Sequence, residues 1–153
     1  VIEKPMETRY TDTVTAEKLR PPAVVRWAAI IAIIQSAIGL GFAIILIVRE
    51  AAGQTDPNLV YESAHANRWV GYGTAVFFII IFGAVAAGAV MMFTARRWGR
   101  GPVIMLELFL LVAATYMFNA QQYSLSLATA ASALLGLGLL FNPRAISWAA
   151  QHY

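Results

Sequence analysis

The chain has no cysteine, which removes disulfide frameworks, thiolate-held iron–sulfur clusters, covalent c-type haem attachment and thiol oxidoreductase chemistry together. Charge is scarce as well. Only 12% of the 153 residues are Asp, Glu, Lys or Arg, about half of the roughly 25% usual in a soluble domain, while 59% are hydrophobic. Histidine is reduced to His65 and His152, both outside the apolar stretches. A bis-histidine haem inside a helix bundle is thereby excluded. No HExxH, GxSxG, P-loop or GxGxxG arrangement occurs, so no catalytic apparatus is visible.

What is present are long runs without charge. Val24 to Val48 spans 25 residues with Arg26 alone at its edge, about 37 Å as a helix and enough to cross a roughly 30 Å hydrocarbon core. Gly71 to Phe93 is a second run, bracketed by Trp69, Tyr72 and Trp98, as expected of rings at headgroup level. Pro102 to Phe118 and Leu125 to Phe141 are shorter, 17 residues each, and the polar patch Asn119, Gln121, Gln122, Tyr123, Ser124 separates them by a tight reversal. Pro102 suits a first helical turn, and Pro143 after Asn142 ends the last span. The expectation is an all-α polytopic membrane protein. Its domains are a polar arm, residues 1–23, and a transmembrane domain, residues 24–150, with spans at about 24–48, 70–94, 102–120 and 124–142.

Nine basic residues fall on one side of these spans: Lys4, Arg9, Lys18, Arg20, Arg26, Arg96, Arg97, Arg100 and Arg144. Arg49 and Arg68 fall on the other. The positive-inside rule then predicts an up-down bundle with both termini cytoplasmic, in a multi-pass arrangement. The net charge of +3 reports topology and attraction to anionic lipid, not nucleic-acid binding. The first apolar run is too long for a signal h-region, so span one is expected to remain as an anchor. The arm, nearly balanced in charge, is expected to be held by a partner protein, the alternative being packing on the chain's own cytoplasmic loops.

Glu107 is the one acid inside a predicted span, about 7.5 Å along the helix from Pro102. Two readings stand side by side: a proton or cation site, or an ion pair with Arg96, Arg97 or Arg100 reaching in from the interface. Proton relays use several titratable groups in series, and Gln35, Asn119 and Gln122 are uncharged. Small residues at four-residue spacing mark candidate helix-packing faces: Ala128, Ser132 and Gly136 on span four, Ala84 and Gly88 on span two, Ala32 and Ser36 on span one. Arg96, Arg97, Arg100 and Trp98 form a basic, aromatic loop suited to anionic headgroups or an acidic partner. In the outer loop, Tyr61 and Trp69 read as anchors of a short interfacial helix, or the loop as a docking surface for an external domain.

The stretch Ala95-Arg96-Arg97-Trp98-Gly99-Arg100-Gly101-Pro102, followed by an apolar span and the ending Phe141-Asn142-Pro143-Arg144, resembles a group of small actinobacterial integral membrane proteins. Those proteins carry an R-R-W-A-R-G-P loop between spans two and three and an S-P-R ending after span four. The resemblance covers roughly residues 24–150 and implies a four-span fold in a bacterial cytoplasmic (inner) membrane. The group is usually polar, often glutamine, at position 107, so Glu107 departs from it. The chain is also similar in kind to accessory subunits of the actinobacterial cytochrome bc and cytochrome c oxidase supercomplex. That similarity implies a non-catalytic accessory subunit, without a cofactor or metal, whose partners are other membrane-protein subunits and phospholipid. The alternative is a small proton-coupled transporter using Glu107. Small multidrug transporters share the span number but place their carboxylate in the first span, where this chain has Gln35.

Because no native thiol interferes, topology can be read from single cysteines. Trp98→Cys should react with an impermeant maleimide only after permeabilisation, and Ser63→Cys in intact cells. Labelling of position 98 from outside would reverse the orientation.

Overall fold

Hydrocarbon offers a backbone no partner except itself, so glycine-rich and β-branched runs that would fray in water are held helical. The computed structural model describes residues 5–11, 20–53, 70–96 and 98–152, and among these all regular structure is helical. Four helices are long and apolar enough to cross a membrane: α1 (Ala23–Ala51), α2 (Val70–Phe93), α3 (Arg100–Asn119) and α4 (Tyr123–Leu140). A fifth, α5 (Pro143–His152), follows immediately. Residues 6–11 form a short helical segment that is exposed throughout. Residues 1–4 and 12–19 of the arm, the expected interfacial anchors Tyr61 and Trp69, His65, and Arg97 lie outside the described residues.

Helix ends follow local chemistry. Pro22, in extended backbone, precedes α1, and Gly53 takes a left-handed φ of 71° just past its end, the usual place for glycine. Two other ends use the same closure without glycine. Ala95 (φ 57°) lets Arg96 N–H reach the Met91 carbonyl at 2.8 Å, and Gln121 (φ 63°) lets Gln122 N–H reach Met117 at 3.0 Å. Each left-handed residue costs about 1 kcal/mol, offset by satisfying carbonyls that would otherwise face an apolar medium. Pro102 sits third in α3, where its missing N–H has no intrahelical partner to lose.

Packing is pairwise, α1 mainly on α2 and α3 mainly on α4, with α1 also touching α4 and α2 touching α3. One apolar cluster joins the start of α1 (Val25, Ala28, Ala29, Ala32), the end of α2 (Val85, Ala89, Met92), the start of α3 (Val103, Leu106), Leu140, and α5 through Ala145, Trp148 and Ala149. A smaller one, Ala43, Leu46 and Ala75, closes the other end of the α1–α2 pair. Between them Phe42 and Phe78 meet tilted and Phe78 and Phe82 edge to face, each at a 5.6 Å centroid spacing, and a side chain at Gly39 would strike the Phe82 ring. Ser126 in α4 donates to the Ala114 carbonyl of α3 at 2.7 Å.

The α2–α3 connection is tightest at two glycines. A Cβ at Gly88 would lie 2.8 Å from the Gly99 carbonyl oxygen, and one at Gly99 would lie 2.8 Å from the Met92 amide nitrogen. Both obstacles are backbone, which cannot rotate away. Gly99→Ala should therefore cost about 1–3 kcal/mol of stability. Gly101→Ala, with open space around its Cβ, should be neutral or slightly stabilising. Thermal unfolding of the purified variants in one detergent checks this, and equal midpoints for the two would refute the close approach.

Candidate functional site

The described part of the spans holds one buried acid. Glu107 shares a face of α3 with Val103 and Leu106 and is 0% exposed. Gln35 of α1 reaches it: the amide Nε2 donates to Glu107 Oε2 at 3.3 Å and to Ser132 Oγ of α4 at 2.6 Å. Gly136, one turn beyond Ser132, supplies the space, since any side chain there would collide with the Glu107 carboxyl. One polar node thus ties α1, α3 and α4. Glu107 Oε1 and Gln35 Oε1 have no hydrogen-bond partner among the described residues.

The pairing differs from the arginine contact that the sequence suggests. Arg100 lies seven residues before Glu107, about 10.5 Å of helix rise, and its Nη2 instead donates to the Leu140 carbonyl at the end of α4. The last carbonyls of a helix lack intrahelical partners, so a cation there is well used. Arg96 is exposed, and Arg97 is outside the described residues. Trp98 is among the most exposed aromatics, as an interfacial ring would be.

The small-residue faces separate into two sets. Ser36, Gly88 and Gly136 are buried and Ser132 is half-buried, whereas Ala84 and Ala128 are exposed. Intramolecular contact on α2 runs instead along Val85, Gly88, Ala89 and Met92, and on α4 along Ser126, Ala133, Gly136 and Leu140. Ser36 returns its hydroxyl to the Ala32 carbonyl at 2.7 Å.

No family model, curated protein or solved structure matches this chain. The node offers a carboxyl, an amide and a hydroxyl, a set that can tie helices or hold a proton or small cation. It contains no nucleophile–base pair. Among the described residues no three of His, Cys, Asp and Glu converge as a metal site.

Two features escaped the sequence reading. The Gln35–Glu107–Ser132 node depends on how three helices are rotated about their axes, which residue spacing alone does not fix. Helix α5 was legible: Asn142 accepts the Arg144 N–H on its Oδ1 at 3.0 Å, an N-cap followed by proline at the first helical position. Ala145, Trp148 and Ala149 then recur at helical spacing.

Gly136→Ala should lower stability by about 1–3 kcal/mol by forcing the carboxyl aside. Paired with Glu107→Ala, the loss should be smaller than the sum of the single changes. Strict additivity in a double-mutant cycle, measured by thermal unfolding, would show that the two positions do not press on each other. Gly138→Ala, with nothing near its Cβ, is the matched control.

Proposed function

We propose that this chain is a non-catalytic accessory subunit of a larger bacterial membrane complex, an up-down bundle with both termini and the Arg96–Arg100 loop on the cytoplasmic side. The observation that carries this reading is the sealed position of Glu107. The one acid at depth is enclosed by Gln35, Ser132 and Gly136, and no second titratable side chain lies deep in the four spans to pass a proton onward. A relay needs such a series; a tie between helices does not. The orientation is supported by the nine-to-two distribution of Lys and Arg.

Support for assembly comes from how little of each span the chain covers by itself. Only 22–28% of each apolar window is buried internally, and Ala84 and Ala128 leave room for another helix on the outer faces of α2 and α4. A respiratory assembly of the cytochrome bc and cytochrome c oxidase kind is the complex to which the sequence is similar in character. The arm, with its exposed helical segment at residues 6–11, is the part assigned to grip a cytoplasmic surface.

A small proton-coupled carrier is the second reading. It is favoured by the two buried oxygens, Glu107 Oε1 and Gln35 Oε1, that accept no hydrogen bond among the described residues.

Extraction of native membranes in mild detergent should recover the chain in fixed stoichiometry with larger membrane subunits. Deleting residues 1–19 should reduce that recovery roughly tenfold, equivalent to about 1.4 kcal/mol, while Glu107→Gln leaves it intact. Recovery of a solitary protein, together with pH-dependent solute flux in proteoliposomes that Glu107→Gln abolishes, would replace the subunit reading by the carrier.

A further inference from the structure

A cleft of about 470 Å³ opens where the segment leading into α1 meets α5, within the roughly 300–1,000 Å³ range of small-molecule sites. Pro21 and Pro22 form one wall and Arg20 stands beside them. The other wall is a stripe of α5, with Arg144, Ser147, Trp148 and Gln151 at i, i+3, i+4 and i+7, positions that share one helix face. The adjoining face, with Ala145 and Ala149, is buried against the bundle, and Trp148 sits at the boundary between the two. The cleft therefore lies level with the first residues of α1 and just beyond Leu140, the last of α4.

Its chemistry is one-sided. Neither the Arg20 nor the Arg144 guanidinium has a hydrogen-bond or ion-pair partner among the described residues, and none of the described residues lining the cleft is acidic. Arg100, by contrast, is committed to the Leu140 carbonyl. The Ser147 hydroxyl is given to the Arg144 carbonyl at 3.2 Å. Two guanidiniums with no partner among the described residues and the Gln151 amide line a space walled by proline rings and an indole. That is a donor set for a phosphate oxyanion beside an apolar surface for what is attached to it. Basic pockets at the ends of membrane helices take anionic headgroups for this reason.

We propose that the cleft between residues 20–22 and α5 binds the phosphate headgroup of an anionic glycerophospholipid, with Arg20 and Arg144 on the phosphate and Pro21, Pro22 and Trp148 against the glycerol and the start of the acyl chains. The inference needs only that the chain spans a bilayer. It does not depend on which face is cytoplasmic or on any protein partner, so it can fail while the subunit reading stands, and the reverse.

The test uses the full chain in neutral detergent with Trp27, Trp69 and Trp98 replaced by Phe, leaving Trp148 as the sole indole. Adding phosphatidylglycerol in mixed micelles should shift Trp148 emission saturably, while phosphatidylcholine gives at least tenfold weaker binding. Arg20→Gln with Arg144→Gln should weaken phosphatidylglycerol binding roughly tenfold or more; Arg144→Lys should retain part of it, and Arg96→Gln all of it. Ser147→Ala, which spares the charges, should give a smaller loss and guards against misfolding of the double variant. Equal binding of the two lipids, or an unchanged affinity in the folded double variant, overturns the proposal. Saturation by inorganic phosphate alone, with no gain from the lipid, overturns the lipid source and makes the site one for a soluble phosphate.

Discussion

Helices surrounded by lipid have no hydrophobic reason to leave it for one another, and the rest of this structure answers that constraint. Association must come from close approach and from polar groups that find each other. Both are visible. Gly39 admits the Phe82 ring and Gly88 meets Gly99 backbone to backbone, while Gln35, Glu107 and Ser132 link three helices through one amide. Interhelical hydrogen bonds in membranes contribute about 0.6 kcal/mol on average, so the node's contribution lies less in its strength than in its direction. It fixes how α3 and α4 are rotated towards α1, which smooth apolar surfaces alone would leave loosely defined.

The same constraint organises one end of the bundle. The final carbonyls of α4 have no intrahelical partner. Arg100 supplies a donor to Leu140, and the chain then turns directly into α5, whose Ala145, Trp148 and Ala149 join the large cluster at the start of α1. The arginine that looks from the sequence like a lipid-binding or Glu107-pairing group is thus a helix cap. Its guanidinium is engaged at the end of α4, whereas those of Arg20 and Arg144 beside the cleft have no partner among the described residues.

Much of this was legible in the chain. The charge-free runs and the position of Pro102 mark the spans, because hydropathy records which solvent a segment needs. The stripes were less informative: Gly88 and Gly136 lie in contacts, but Ala84 and Ala128 face outward, since small residues are common on every face of an Ala- and Gly-rich helix. Gln35 gave no sign of its partners. A residue's spacing along its own helix is local, whereas the rotation that brings Gln35 to Glu107 is set by contacts more than seventy residues away. The ends of α2 and α3 carry no glycine signal because Ala95 and Gln121 accept left-handed backbone instead. Asn142–Pro143 was read as a stop when it is also a start: the residues that cannot continue α4 are the ones that suit the cap and first position of α5.

The geometry at Glu107 also bears on why a carboxyl is tolerated there. A carboxyl opening to water would need room around it, and the first consequence of a pathway would be space. The opposite is found: Gly136 stands so close that a single methyl would not fit, and Gln35, itself bonded to Ser132, covers Oε2. A glutamine at position 107 would keep one oxygen to accept the Gln35 amide and replace the other, which accepts no hydrogen bond among the described residues, by an NH2 group. The carboxyl's position is thus compatible with a neutral amide of nearly the same shape, as a structural tie requires and a proton carrier does not.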